Sequence, residues 1–421
     1  WERSDDGLSY TFTIKQGVMF HNGEELKASD VAYSIQRGID SPYAGAIFGP
    51  VEGAEALSDY EVRVDLKYEY SPFLSAMSAP LASIVSEKAV EEHGDDFSRN
   101  PVGTGAYKIV SWEPGDRVTL EAFDDWHLGE VPIKNLVFRV LEDPATSVIA
   151  LEKGEIDLLL DVPTSDRKSI EDNDNLELYE IPSHRFHYVG FNTEVGLFSD
   201  VKVRQAVAYA LDRESIRQTA TEGISILAQN HIAETILGFA EDVEWYEQDM
   251  DKALELIEEA GVEEGASVKI IARDGVGNKM AQVLQDNLLK INIQSDIEIL
   301  EDAALTDKGK KGDFDIIINP WSTPVADADY TVNFLFHSKM IDAMNLTRYN
   351  EQSMDDMIIE AEMKAELDER GAIYKDITQQ LKDDVPSIPI FFEMATLAAN
   401  KDLKNVEASP SSTYYFYDLE W

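Results

Sequence analysis

Cysteine is absent from the 421-residue sequence, so no disulfide, thiolate metal site or thiol nucleophile is available. That absence is compatible with any redox compartment. Basic residues are scarce: 36 Lys and Arg stand against 81 Asp and Glu, a formal charge of −45. A surface of that sign repels phosphate backbones and anionic headgroups, which argues against nucleic-acid binding and against adsorption on a lipid surface. Histidines number seven, without His-x-His or His-Glu-x-x-His spacing, and no run of 18 apolar residues could span a bilayer. Gly103-Thr104-Gly105 lacks the Gly-Lys-Ser/Thr ending of a phosphate loop, and no Gly-x-Ser-x-Gly elbow occurs. The residues imply no cofactor and no metal.

Apolar residues are plentiful at 44%, with 10% aromatic, enough to build packed cores despite the charge. A chain of this length predicts two or three domains. The acidity reads as a solvated surface. Clusters such as Glu171-Asp172-Asn173-Asp174 lack the ligand spacing and glycine of a calcium loop.

The first hundred residues predict strands and one helix. Tyr10, Phe12 and Ile14 alternate with polar neighbours, as do Val62, Val64 and Leu66, which suits half-buried antiparallel strands. Ser29 or Asp30 can cap a helix running through Arg37. Strands are predicted around Val118–Leu120 and Leu136–Val140, then a helix over Ala145–Lys153 stopped by Gly154. From about 195 the spacing becomes helical: Val203, Ala206, Val207, Ala210 and Leu211 follow the capping candidates Ser199 and Asp200. Ala253, Leu256, Ile257 and Ala260 repeat it and end on Gly261. A βαβ unit is predicted next, with strands at 268–272 and 296–300 around a helix at 279–291. Ile316-Ile317-Ile318, apolar without alternation, predicts a buried strand at 314–319, followed by helices near 353–367 and 370–384 and a strand at 388–392.

Several stretches occur together in a recognisable order. They are Tyr10–Lys15 with Gly17, Phe20, His21, Asn22 and Gly23; Asn100–Lys108 with Trp126 and the turn Gly154-Glu155-Ile156-Asp157; Phe191-Asn192-Thr193 with Asp200–Arg213; and Trp321–Ser338 with Arg348-Tyr349-Asn350 and Pro386–Pro389. This order resembles the extracellular solute-binding proteins of the dipeptide, oligopeptide and nickel class (family 5), which serve ABC importers. The resemblance implies an α/β, two-lobed periplasmic-binding-protein-like fold of type II with an extra N-terminal subdomain. Its domains would be an accessory subdomain at 1–103, a lobe I core at 104–194 and 398–421, and lobe II at 195–397. The hinge crossings would fall near 192–198 and 393–400. It also implies several tens of residues ahead of the equivalent of Trp1, including a first strand of one lobe. The protein would be an extracytoplasmic, lipid-anchored monomer, not an enzyme, that clamps a small peptide-like solute between its lobes and hands it to a membrane permease. A nickel chelate or other small solute is the alternative cargo, and a hydrolase using paired carboxylates is the rival class.

In open α/β sheets, ligands bind beyond the carboxyl ends of the strands. Arg273 follows the strand 268–272. Trp321 follows the strand 314–319 and leads a loop carrying Asp327 and Asp329. An Arg fork suits a carboxylate and an Asp suits an ammonium, so these residues match the two ends of a zwitterion. Peptide-binding members of the resembling family commonly use an Asp shortly after this tryptophan for the peptide amine; here Ser322–Ala326 intervene, leaving Asp327 and Asp329 both open. Trp321 offers an apolar wall. The strand Ser183–Tyr188, with Arg185 and Phe186, is a further candidate lining; His184, Phe186 and Tyr188 should share one face, and Arg185 and His187 the other. The segment from Asp200 to Ala206 reads as structural, tying the hinge through charge pairs, and His21 as a turn contact.

Overall fold

The computed structural model describes residues 1–41 and 44–421, which divide into two compact units. One comprises Trp1–Tyr179, Thr396–Ala408 and Thr413–Trp421; the other comprises Glu180–Ala395 and Ser409–Ser412.

The first unit holds two antiparallel sheets. β1 (Glu2–Arg3), β2 (Ser9–Thr13), β3 (Val51–Ser58) and β4 (Glu61–Leu66) are arranged β1-β2-β4-β3. Along β4 the buried Val62, Val64 and Leu66 alternate with more open neighbours, as the period of two requires. The helix Ala28–Ile39 begins one residue before the expected caps. Lys27 occupies the cap position, and Asp30 reaches back to accept its N–H at 3.0 Å. β5 (Tyr107–Glu113), β6 (Arg117–Ala122) and β7 (Asn135–Arg139) make the second sheet in that order. His21 is a turn contact: its backbone N–H donates to Gly103 O and its ring Nε2 bonds Gly105 O, each at 2.9 Å. The helix Pro144–Glu152 is capped by Asp143, and β8 (Leu158–Leu160) follows.

The second unit is built on β9 (Leu176–Phe191), β10 (Ser225–Leu227), β11 (Ala266–Ala272), β12 (Ile293–Ile299), β13 (Ile316–Ser322) and β14 (Ser387–Asn400), ordered β10-β14-β9-β13-β11-β12. β11 runs parallel to both β12 and β13, and β13 pairs antiparallel with β9. β9 and β14 each continue into the first unit, where β8 pairs with Leu397–Ala399. The first crossing falls between Tyr179 and Glu180, earlier than 192–198, because residues 185–191 are paired to β13 and belong with it. Pro410 joins the second unit by accepting the N–H of His184 at 2.7 Å.

Helices cover both faces of this sheet. Val189, Phe191, Ile270, Ile316 and Ile318 pack under the helices Val201–Ala210, Met250–Glu259 and Val276–Lys290. Phe186, Tyr188 and Phe392 pack under Asp329–Phe336, Gln352–Met363 and Leu367–Asp384. Ile317 leaves its neighbours for a smaller cluster with Leu305, Phe314 and Leu346, so the continuous Ile run is buried on both faces. The helix Val201–Ala210 starts where predicted, with the Asp200 carboxylate accepting the Lys202 N–H at 2.8 Å. Arg204 departs from the expected charge pairing. Its buried guanidinium donates to the carbonyls of Phe198 and Asp384, each at 2.8 Å, and so ties the turn before this helix to the end of the helix Leu367–Asp384.

Candidate functional site

The register of β9 on β13 decides which candidates can meet. Phe186 lies opposite Trp321, His187 opposite Pro320 and Arg185 opposite Ser322. Opposed residues share a face and successive residues alternate. Arg185, His187, Val189 and Phe191 therefore project to one side, and Phe186 and Tyr188 to the other, as the alternation predicted. On the first side the rows begin in core, with Phe191, Val189, Ile316 and Ile318. Toward the carboxyl ends of β11 and β13 the rows finish in His187, Arg185 and Pro320. A cavity of about 220 Å³ opens there, lined also by Arg273, Asp274, Val276, Gly277 and Glu393.

Two features of this cavity favour an anion. Arg273, the first residue after β11, pairs with Asp302, but its Nε is buried without a hydrogen-bond partner. The helix Val276–Lys290 starts after Gly275, at φ 70°, with no side-chain cap. The N–H groups of a first turn lack intrahelical acceptors and sit at the positive end of the helix dipole, and Val276 and Gly277 of that turn face the cavity. A third feature has the opposite sign. Glu393 on β14 presents Oε1 to two donors, Arg185 Nε at 3.2 Å and His187 Nε2 at 2.5 Å. Burial pushes its carboxyl pKa up, but the bonds and charges of His187 and Arg185 outweigh this and hold it below the ordinary value. The His187 ring is itself fixed by stacking on Phe391, with centroids 4.9 Å apart.

Trp321 lies on the other face of the sheet. It is half-buried, 5.6 Å from the Tyr330 ring and 6.3 Å from that of Phe334, and its indole N–H donates to Thr331 Oγ1 at 3.3 Å. These three part-exposed rings form an aromatic shelf at the end of β13.

Three candidates need correction. Phe186 is core rather than lining: it is 1% exposed and packs on Phe392 and Tyr188 at ring distances of 5.4 and 5.8 Å. Asp327 is interior, its Oδ1 accepting from Arg370 Nη2 at 2.8 Å, from the Asp329 N–H at 3.1 Å and from Tyr374 at 3.3 Å. Its Oδ2 is shut off from solvent. Asp329 is also buried, in the first turn of Asp329–Phe336. Hydrogen bonds join Asp327 to Asp329 and Tyr374 in one interior cluster, where burial, with the charges of the two aspartates, drives the Tyr374 phenol pKa well up. Neither carboxylate is available to a solute in this arrangement.

The structure thus brings Arg185 and Arg273 together and sets them apart from Trp321 and the two aspartates. His187 and Glu393 line this cavity too, and the sequence reading did not name them as candidates. The face assignment of His187 was available from alternation; nothing marked Glu393 among so many carboxylates. Among the described residues, no three His, Asp or Glu side chains gather as a metal-ligand set.

Comparison with known proteins agrees with this architecture. Residues 1–342 match the family described as bacterial extracellular solute-binding proteins, family 5 Middle. The chain is 29% identical to the oligopeptide-binding protein AppA of Bacillus subtilis, over 99% of this chain and 81% of that protein. It is 28% identical to heme-binding protein A of Haemophilus influenzae, over 100% and 82%. Among solved structures it resembles the periplasmic binding protein DppA of Helicobacter pylori in complex with the peptide STSA, with a TM-score of 0.87 and 25% identity, covering 100% of this chain and 87% of that one.

Proposed function

The chain belongs to the bacterial extracellular solute-binding proteins of family 5, and from that premise we propose that it captures a small peptide-like solute and delivers it to the membrane permease of an ABC importer. It works outside the cytoplasm as a lipid-anchored monomer, and the task is binding and release with no bond broken. Among the described residues no helix is long and apolar enough to cross a membrane.

The observation that carries this reading is the cavity at the carboxyl ends of β11 and β13. There Arg273, with its unpartnered buried Nε, adjoins an uncapped helix start. Such a site suits the carboxylate end of a peptide. The shelf of Trp321, Tyr330 and Phe334, on the opposite face of the sheet from this cavity, is a separate apolar surface. The oligopeptide-binding protein and the peptide complex among the relatives support peptides as the first class to try, and heme-binding protein A makes haem the next.

The test is to incubate purified protein with a dipeptide mixture and identify the retained species by mass spectrometry. Intact peptide supports the proposal; a metal chelate or haem would replace the cargo, and cleavage products would replace the function. On a retained dipeptide, Arg273→Ala should weaken the free acid more than its C-terminal amide. Trp321→Ala should leave a dipeptide held in the cavity near its wild-type affinity; a loss of about 2 kcal/mol, roughly 30-fold in Kd, would make the indole an anchoring wall of the same site. Equal losses for acid and amide would remove Arg273 from the site.

A further inference from the structure

Resting on the peptide-like reading above, we propose that Glu393 receives the ammonium group of the solute, facing the same cavity in which Arg273 receives its carboxylate. The two aspartates that the sequence offered for this role are interior, one locked to Arg370 and the other in the first turn of a buried helix. Two carboxylates remain on the cavity wall, Asp274 and Glu393. Asp274 sits in the exposed turn after β11 and accepts a weak bond of 3.3 Å from Asn278.

Glu393 is better placed for recognition. It stands on a strand, and two β9 side chains fix its position. Both bonds fall on Oε1, so Oε2 has no hydrogen bond among the described residues, while the side chain stays 34% exposed. Arg185 and His187 thus hold the carboxylate through one oxygen and leave the other for a further donor. Its lowered pKa means that it is ionised at neutral pH. With an acid and a base on the wall of one cavity of about 220 Å³, the site fits a compact zwitterion. Arg185 and His187 are then positioning residues: they touch Glu393 rather than the solute.

The experiment compares Ala-Phe, N-acetyl-Ala-Phe and Ala-Phe amide by calorimetry on the wild type, Glu393→Gln, Glu393→Asp and Asp274→Asn. Glu393→Gln should weaken Ala-Phe by about 30-fold or more, the low end for removing one partner of a desolvated charge pair. It should leave N-acetyl-Ala-Phe near its wild-type affinity, and Glu393→Asp should restore part of the loss. Retained binding of the acetylated probe shows that the variant is folded. Equal losses for both probes would make Glu393 a structural residue and overturn the proposal. So would tighter binding of the acetylated form, which would mean that the carboxylate repels an anionic solute. Selective loss in Asp274→Asn instead of Glu393→Gln would move the ammonium to the loop. If the wild type binds none of the three, the peptide reading fails together with this one; if it binds Ala-Phe and Glu393→Gln binds equally well, only the present proposal fails.

Discussion

Replacing Asp327 by Ala should cost stability rather than ligand selectivity. The Asp327–Arg370 pair has both side chains 2% exposed, and Arg370 also donates to Tyr374 at 2.8 Å and to the Ala361 carbonyl at 3.2 Å. Removing the carboxylate leaves a buried guanidinium without its counter-charge. Breaking a buried pair by deleting one partner costs about 3–5 kcal/mol, because the remaining charge stays desolvated. In a folding unit of about 150–250 residues each kcal/mol lowers Tm by about 2–4 °C, so a fall of about 6–20 °C is expected. Deleting both charges should cost less than the sum of the two single changes, so Asp327→Ala with Arg370→Met should recover part of the loss. Scanning calorimetry of the solute-free variants measures this. Titration with a free and an N-acetylated dipeptide, well below the lowered Tm, measures the rest. An unchanged Tm with selective loss of the free-amine peptide would refute the structural assignment and return Asp327 to the binding site.

Two further outcomes follow from the charges. With a formal −45, the folded chain repels itself, and raising NaCl from about 10 mM to 1 M shortens the screening length from about 30 to 3 Å. Tm should therefore rise with salt, and a flat or falling Tm would mean that the local ion pairs already compensate the charge. Glu393 has a folded-state pKa below its ordinary 4.5, so its contribution is present above that value and lost as pH falls through the folded value. The Tm gap between wild type and Glu393→Gln should hold at neutral pH and close as the solution is acidified below about 4.5. A gap that does not vary with pH would show that the carboxylate gains nothing from its partners.

Much of the fold was legible in the sequence because local patterns produce it. The alternation in Glu61–Leu66, the capping Asp200 and the unbroken Ile316–Ile318 run each act within a few residues, and the structure shows the expected strand, helix start and doubly buried strand. The period of two along β9 likewise separated Arg185 and His187 from Phe186 and Tyr188. The position of Arg273 at a strand end followed from the predicted βαβ unit.

What stayed hidden was set by partners distant in the chain. Whether Asp327 faces a solute or the interior depends on Arg370, 43 residues later in the helix Leu367–Asp384, and no local pattern reports that pairing. Glu393 differs from the other acidic residues only because β14 carries it to His187, 206 residues earlier. By itself the sequence determined the α/β class, many of the strands and helices, and the faces of residues in β4 and β9, since backbone geometry enforces those over short range. Only the tertiary structure decided which charges are buried in pairs and which line the cavity at the strand ends. That distinction is made by desolvation and hydrogen bonding between strands and helices that meet only when the chain is folded.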